Sequence, residues 1–152
     1  MKITEIRIYA VDLPMKEGSY SWSTQSFGRF DSTVVELVTD EGLKGYGEVC
    51  PLGPAYLPAY AEGVRVGVMQ LANVLLGQNP TQVGAINDLM DQNLKGHPYV
   101  KSAIDIACWD LLGKFSGQPL YTLLGGLRQD AVRLFKVVSR AQPDAMVESL
   151  QS

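Results

Sequence analysis

The 152-residue sequence predicts an α+β fold, a three-stranded antiparallel sheet followed by a helical bundle. Three observations carry that reading. Apolar residues within the first fifty positions recur with a period of two, and those from 61 to 115 recur every three or four. A nearly continuous apolar run appears only after Gly125-Gly126. Strands first and helices second place the helices on one face of the sheet.

Residues 2–13 put Ile6, Ile8 and Ala10 on one face and Tyr9, Val11 and Leu13 on the other, and Pro14 closes the strand. Residues 31–39 (DSTVVELVT) form the second strand. Asp40-Glu41-Gly42 supplies the turn, with Gly42 free to take positive φ, and residues 43–48 return as the third strand. Between the first two strands lies MKEGSYSWSTQSFGRF (15–30), a long loop rich in Ser, Gly and aromatic residues. Loops of this length inside compact domains are uncommon and are often functional lids.

From residue 61 the period changes. Val64, Val68, Leu71 and Leu75 mark one helix face, and Gly77 is a natural stop. Asn79-Pro80 then reads as an N-cap followed by proline at the first helical position, with Val83, Ile86, Met90 and Leu94 as the apolar stripe. A third helix is predicted over 99–115, with Ile104, Ala107, Cys108, Leu111, Leu112 and Phe115 facing inward. Pro119 to Leu124 gives a short helical turn that ends at Gly125-Gly126. Val132 to Ser139 (VRLFKVVS) reads as a parallel strand buried on both faces, and Pro143-Asp144 opens another helix. One such strand and helix cannot bury their own apolar surface. Residues 127–152 are therefore expected to be the opening unit of a βα domain whose remainder this sequence does not contain.

Composition narrows the function classes. A formal charge of −3 and a pI near 5.1 leave no Lys/Arg stripe for neutralising phosphates, which argues against a nucleic-acid binder. The longest apolar stretches fall well short of the ~20 residues of a membrane span. The N-terminus has no signal-peptide core. Cys50 and Cys108 stand 58 positions apart without a spacing motif and read as reduced thiols of a cytoplasmic protein.

The order of sheet, helices, Gly-Gly and parallel strand is carried by GLKGYGE (42–48), YVKSAIDIACWDLLGK (99–114) and QPLYTLLGG (118–126). Together these resemble the N-terminal capping domain of the enolase superfamily, in the mandelate racemase and muconate lactonizing enzyme group. CPLGPAYLPAYAEGVR (50–65) and KGHPYVKSAIDIA (95–107) are most similar to epimerases or dehydratases acting on hydroxyproline, proline betaine and related amino acids. The resemblance implies a capping domain over 1–126 and the start of a truncated (β/α)₈ (TIM) barrel over 127–152. It also implies a Mg²⁺-dependent isomerase or lyase that removes the proton α to the carboxylate of a small amino- or hydroxy-acid. Such a proton is too weakly acidic to remove near neutral pH unless a cation meets the developing oxyanion. In the group, the carboxylate metal ligands and the Lys bases stand on later barrel strands. No catalytic or metal-binding residue is therefore carried onto this sequence, and Mg²⁺ is expected in the barrel. Homo-oligomers are the group's usual assembly. The competing expectation is a non-catalytic small-molecule-binding or interaction module built on the same fold.

In members of the group, the loop after the first strand and the loop after the third cover the barrel mouth. Here these are residues 15–30 and 49–60, and Trp22 and Tyr56 are the candidate substrate-binding residues. An aromatic face holds a protonated or quaternary ammonium by cation–π attraction; the alternative is that both rings fill a seam. Glu48, at a strand end, offers either a ligand contact or a structural hydrogen bond. Cys50 needs a base to act as nucleophile, and nothing in the sequence brings His97 to it. Asp105 and Asp110 are about 140° apart on one helix, which suits an ion pair or a backbone contact better than a shared metal. Gly45-Tyr46-Gly47 lacks the following helix N-terminus of a phosphate loop.

Overall fold

The computed structural model describes every residue except Glu17, Lys136 and Ser152. The chain forms two compact units. One comprises Met1–Val11 with Asp31–Leu127, and the other Asp12–Phe30 with the residues from Arg128 onward.

The first unit is built on an antiparallel sheet in the order β1 (Ile3–Pro14), β4 (Arg29–Thr39), β5 (Lys44–Val49). Its register sets Val35 opposite Gly47, Glu36 opposite Tyr46 and Leu37 opposite Gly45. The alternation sends Val35 and Leu37 to the core. It sends Lys44, Tyr46 and Glu48 to the exposed side. The strands were legible because period-two patterning is strict wherever one face is buried.

Three helices cover the inner face: α1 (Ala61–Leu75), α2 (Val83–Asn93) and α3 (Pro98–Ser116). The predicted face of α1 is buried at Val64, Val68, Leu71 and Leu75. Beyond α1, Gly77 takes φ 80° and donates its N–H to the Ile3 carbonyl at 2.8 Å, while Ile3 donates to Gln78 at 2.9 Å. The helix exit is thereby stitched to the start of β1. Val100, Ala103, Ile104, Ala107, Cys108 and Leu111 of α3 complete the core. Burying side chains of this size contributes about 1.5–3 kcal/mol each for the larger ones. Ile104→Val, which deletes one methylene from a fully buried side chain, is expected to cost about 0.5–1.5 kcal/mol with an unchanged denaturant slope in urea titration.

Two helix expectations are corrected. The second helix starts at Val83, not after Asn79-Pro80, and its N-cap position is Gln82. The Asn79 carboxamide oxygen accepts from the Thr81 N–H (3.1 Å) and hydroxyl (2.8 Å), so its capping capacity closes a turn instead. Leu94 follows the helix at its C-cap and still packs on the core. Phe115, expected inward, is 57% exposed. Lys114 already reaches back to the Lys44 carbonyl (2.7 Å), at the first residue of β5, so the last turn of α3 runs past the sheet. Gly117 then ends α3 at φ 65°. The short helix α4 (Leu120–Leu123) follows, closed by a 2.7 Å bond from Gly126 N–H to the Tyr121 carbonyl.

In the second unit, the long loop expected over 15–30 has structure of its own at 20–27. It carries a hairpin of β2 (Tyr20–Trp22) and β3 (Gln25–Phe27). The strand expected over 132–139 is also corrected: residues 131–135 and 137–139 join no sheet, and Lys136 lies outside the described residues. A strand is defined by its partner's ladder, and among the described residues no strand pairs with this segment. Leu134 and Phe135 are accordingly 94% and 89% exposed. The helix expected from Pro143 forms as α5 (Pro143–Gln151). Among the described residues no helix is long and apolar enough to cross a membrane.

Candidate functional site

The two loops expected to cover a site are each built by local chemistry. In the second unit, Ser23 (φ 46°) turns the chain between β2 and β3, pairing Tyr20 with Phe27 and Trp22 with Gln25. Four rings then form a small core of their own. Trp22 stacks on Phe27 (centroids 4.6 Å apart, planes at 11°), Tyr20 lies 5.1 Å from Trp22, and Phe30 lies 5.5 Å from Phe27. Stacked aromatic pairs contribute about 0.5–1.5 kcal/mol each beyond the area they bury. The Ser21 and Ser26 hydroxyls bond at 2.9 Å, and Arg140 N–H donates to the Ser21 carbonyl at 3.0 Å. Trp22 is thus half-buried in a preformed hairpin.

In the first unit, the segment after β5 turns at Gly53 (φ 94°), whose carbonyl accepts from the Tyr56 and Leu57 N–H groups at 3.1 and 3.0 Å. A residue with a Cβ would be strained there. The turn leaves the Tyr56 side chain 61% exposed at the loop tip. The root of this loop is fastened on both sides. The Ser32 hydroxyl donates to the Glu48 carboxylate at 2.6 Å, so Glu48 makes a structural hydrogen bond. Arg65 of α1 grips both oxygens of Asp31 at 2.8 and 2.9 Å, a bidentate pair that fixes α1 against the start of β4.

The remaining candidates resolve into structural roles. Cys50 lies 3.9 Å from the Asp31 carbonyl, and burial raises its thiol pKa, so it stays protonated and a poor nucleophile. Cys108 is core, with burial pushing its pKa up to about 12. Asp110 does both of the things expected of it: it accepts from the Tyr46 N–H (2.8 Å) and from Lys114 (2.6 Å). Asp105 accepts from Asn87 at 2.7 Å, tying α3 to α2. Among the described residues no three His, Cys, Asp or Glu side chains gather. The described residues therefore do not fit a Mg²⁺ ion, which prefers carboxylates converging in octahedral geometry.

Two features escaped the sequence reading. The first is the purpose of Gly45 and Gly47, which face α3. A methyl group on Gly47 would overlap the Ala103 carbonyl oxygen and sit 2.8 Å from the Ala107 nitrogen; one on Gly45 would sit 2.5 Å from Leu111 Cγ. The Gly-Tyr-Gly stretch is a slot for a helix. The second is a carboxylate on the outer sheet face. Glu36, 2% exposed, accepts from the Tyr9 (2.7 Å) and Tyr46 (2.9 Å) hydroxyls, and pairs with Lys44 (3.0 Å) and Arg7 (3.3 Å). The Tyr9 bond foremost, then Lys44 and Tyr46, hold its pKa down to about 2. A Glu set among Val34, Val35, Leu37 and Val38, with Lys44 and Tyr46 two residues apart on the next strand, was the available signal.

A three-stranded antiparallel sheet followed by helices matches an enolase-type N-terminal domain. The chain belongs to the mandelate racemase/muconate lactonizing enzyme family, whose N-terminal domain matches residues 3–125. It is 59% identical to a cis-3-hydroxy-L-proline dehydratase from Roseibium aggregatum, over 99% of this chain and 41% of that protein. It is 37% identical to an N-succinyl-L-Arg/Lys racemase from Bacillus cereus, over 100% of this chain and 41% of the racemase. Among solved structures, a member of the enolase superfamily from Roseovarius nubinhibens, complexed with magnesium, superposes with a TM-score of 0.87 at 43% identity. That match covers 99% of this chain and 40% of the other. The chain thus spans about two fifths of the length of the relatives it matches.

Proposed function

We propose that this chain is the substrate-covering domain of a Mg²⁺-dependent, cytoplasmic and homo-oligomeric enzyme that removes the proton α to a carboxylate, as an epimerase, racemase or dehydratase. A hydroxyproline-type amino acid is the substrate this reading favours. The observation that carries it is the 59% identity, over nearly the whole chain, to a cis-3-hydroxy-L-proline dehydratase. Residues 1–126 act as the cap and 127–152 begin the barrel. Mg²⁺, which stabilises the charge that develops as the α-proton leaves, is assigned to the barrel, because the residues here do not fit it.

The cap's own residues bind and exclude water. Tyr56 offers an exposed ring on a stiff loop, and Trp22 an indole preset by stacking on Phe27. Either face suits the ring nitrogen of a protonated proline derivative, an attraction of about 0.5–2 kcal/mol depending on desolvation. With the full-length protein and Mg²⁺ in D₂O, cis-3-hydroxy-L-proline is expected to exchange its α-proton or lose water. Neither event, across a panel of proline derivatives, would refute the substrate assignment. Tyr56→Ala is expected to lower kcat/KM about three- to thirty-fold, the range that a cation–π contact spans, with an unchanged melting temperature. Wild-type kinetics for that variant would leave the ring as packing.

A further inference from the structure

Away from the covering loops, a groove of about 400 Å³ opens in the first unit between the start of α1 and the start of α3. That volume lies within the range of small-molecule sites. Its lining brings three rings to one place, Tyr60, His97 and Tyr99, together with the Glu62 carboxylate. Among the described residues no Lys or Arg lines it. The nearest guanidinium, Arg65, is 3.9 Å from Glu62 but is committed to Asp31 through two shorter bonds. Two glycines let side chains beside the groove approach α1 closely. Gly63 lies under the Tyr60 ring, and Gly67 lies against Val100, where a Cβ would collide at 2.5 Å. Tyr99 also packs against the core, while Tyr60, 51% exposed, and the exposed His97 line the groove beside the Glu62 carboxylate.

His97 adds a second observation. It is held in the left-handed region (φ 51°, ψ 52°), directly after Gly96 at φ 69° and before Pro98. A non-glycine residue in that conformation is uncommon and carries a cost that surrounding structure must offset. Here the cost sets an imidazole at the groove.

We infer that this groove binds a small organic cation with an apolar body, such as a quaternary or ring ammonium. Ring faces carry negative quadrupole potential, so several of them around a desolvated cation attract it, and an adjacent carboxylate adds the opposite charge. A neutral ligand of the same shape keeps only the apolar contact. An anion meets Glu62 with no compensating cation. The site stands apart from the substrate-covering role, because its lining includes neither Tyr56 nor Trp22.

The test uses the full-length protein, choline as the probe, and 3,3-dimethylbutan-1-ol as its uncharged isostere. Calorimetric titration is expected to show saturable choline binding, with the isostere at least about fivefold weaker, as cation–π and ion-pair terms at a half-exposed site predict. Glu62→Gln, an exposed position that should not disturb folding, is expected to weaken choline and leave the isostere unchanged. Tyr60→Leu is expected to weaken both, choline more. The absence of saturable binding overturns the inference, as does equal affinity for the two probes. Choline binding that survives Glu62→Gln intact but is lost in Tyr56→Ala also overturns it, because the heat then belongs to the covering loop. Dehydratase or epimerase activity is no part of the readout, so a failed substrate assignment leaves this result interpretable.

Discussion

Gly47→Ala is expected to cost about 4 kcal/mol or more, beyond the usual 1–3 kcal/mol of an overpacked core, and to leave much of the protein unfolded at room temperature. The reason is what the new methyl group meets. Side chains can rotate away from an intruder, but the Ala103 carbonyl and the Ala107 nitrogen belong to the backbone of α3. Relief requires α3 to lift off β5. That helix carries Val100, Ile104, Cys108 and Leu111 into the core, so lifting it opens contacts to both other helices and to the sheet. Close packing transmits such a displacement without absorbing it. Gly84→Ala provides the contrast. Gly84 lies inside α2 with nothing within 4 Å of the added carbon, and the change is expected to stabilise by about 0.5–1 kcal/mol through helix propensity and unfolded-state entropy. Urea titrations of both variants decide the matter. A wild-type midpoint for Gly47→Ala would mean that α3 and β5 pack less closely than described.

The contrast between those glycines also shows how far the sequence could be read. Gly77 and Gly117, which end helices at positive φ, follow rules that depend only on neighbours in the chain. The buried faces of α1 and α3 were likewise legible, because period and polarity are local. Gly45 and Gly47 were not, since their reason sits some sixty residues away in Ala103 and Ala107. The hairpin at Tyr20–Phe27 hid for a different cause: its turn uses Ser23 at φ 46°, where Asn-Gly or Asp-Gly would have announced it. Asn79 and Pro80 gave a sound local cap signal that a competing turn consumed. The apolar run at 132–139 reads as a buried strand, and it can become one only beside partner strands. Of the candidate site, the two loops and their rings were legible as composition, while the stacking that fixes Trp22 was not.

Glu36 carries the other large effect, and its sign follows from its contacts. Its pKa is held down to about 2, below the ordinary 4.5, because the Tyr9 hydroxyl first, then Lys44 and the Tyr46 hydroxyl favour the ionised form, outweighing burial. A depressed carboxylate stabilises the fold above its unfolded value and loses that contribution as pH falls through the folded one. Stability should therefore decline from about pH 4.5 toward pH 2. Glu5 beside Arg7 and Asp91 beside Lys101 shift the same way, so the acid limb alone does not identify Glu36. Glu36→Gln separates them. The amide still accepts from Tyr9 or Tyr46 but turns an N–H₂ group toward the remaining donors, and it leaves Lys44 without its carboxylate. The variant should be markedly less stable than wild type at pH 7, with the gap closing as pH approaches 2, because protonated Glu36 has by then lost the same charge. Parallel stability curves across that range would show that the native contacts do not lower the Glu36 pKa. The network's place gives the result a structural meaning: Tyr9, Glu36 and Tyr46 come one from each strand, so a single charge clasps β1, β4 and β5 together.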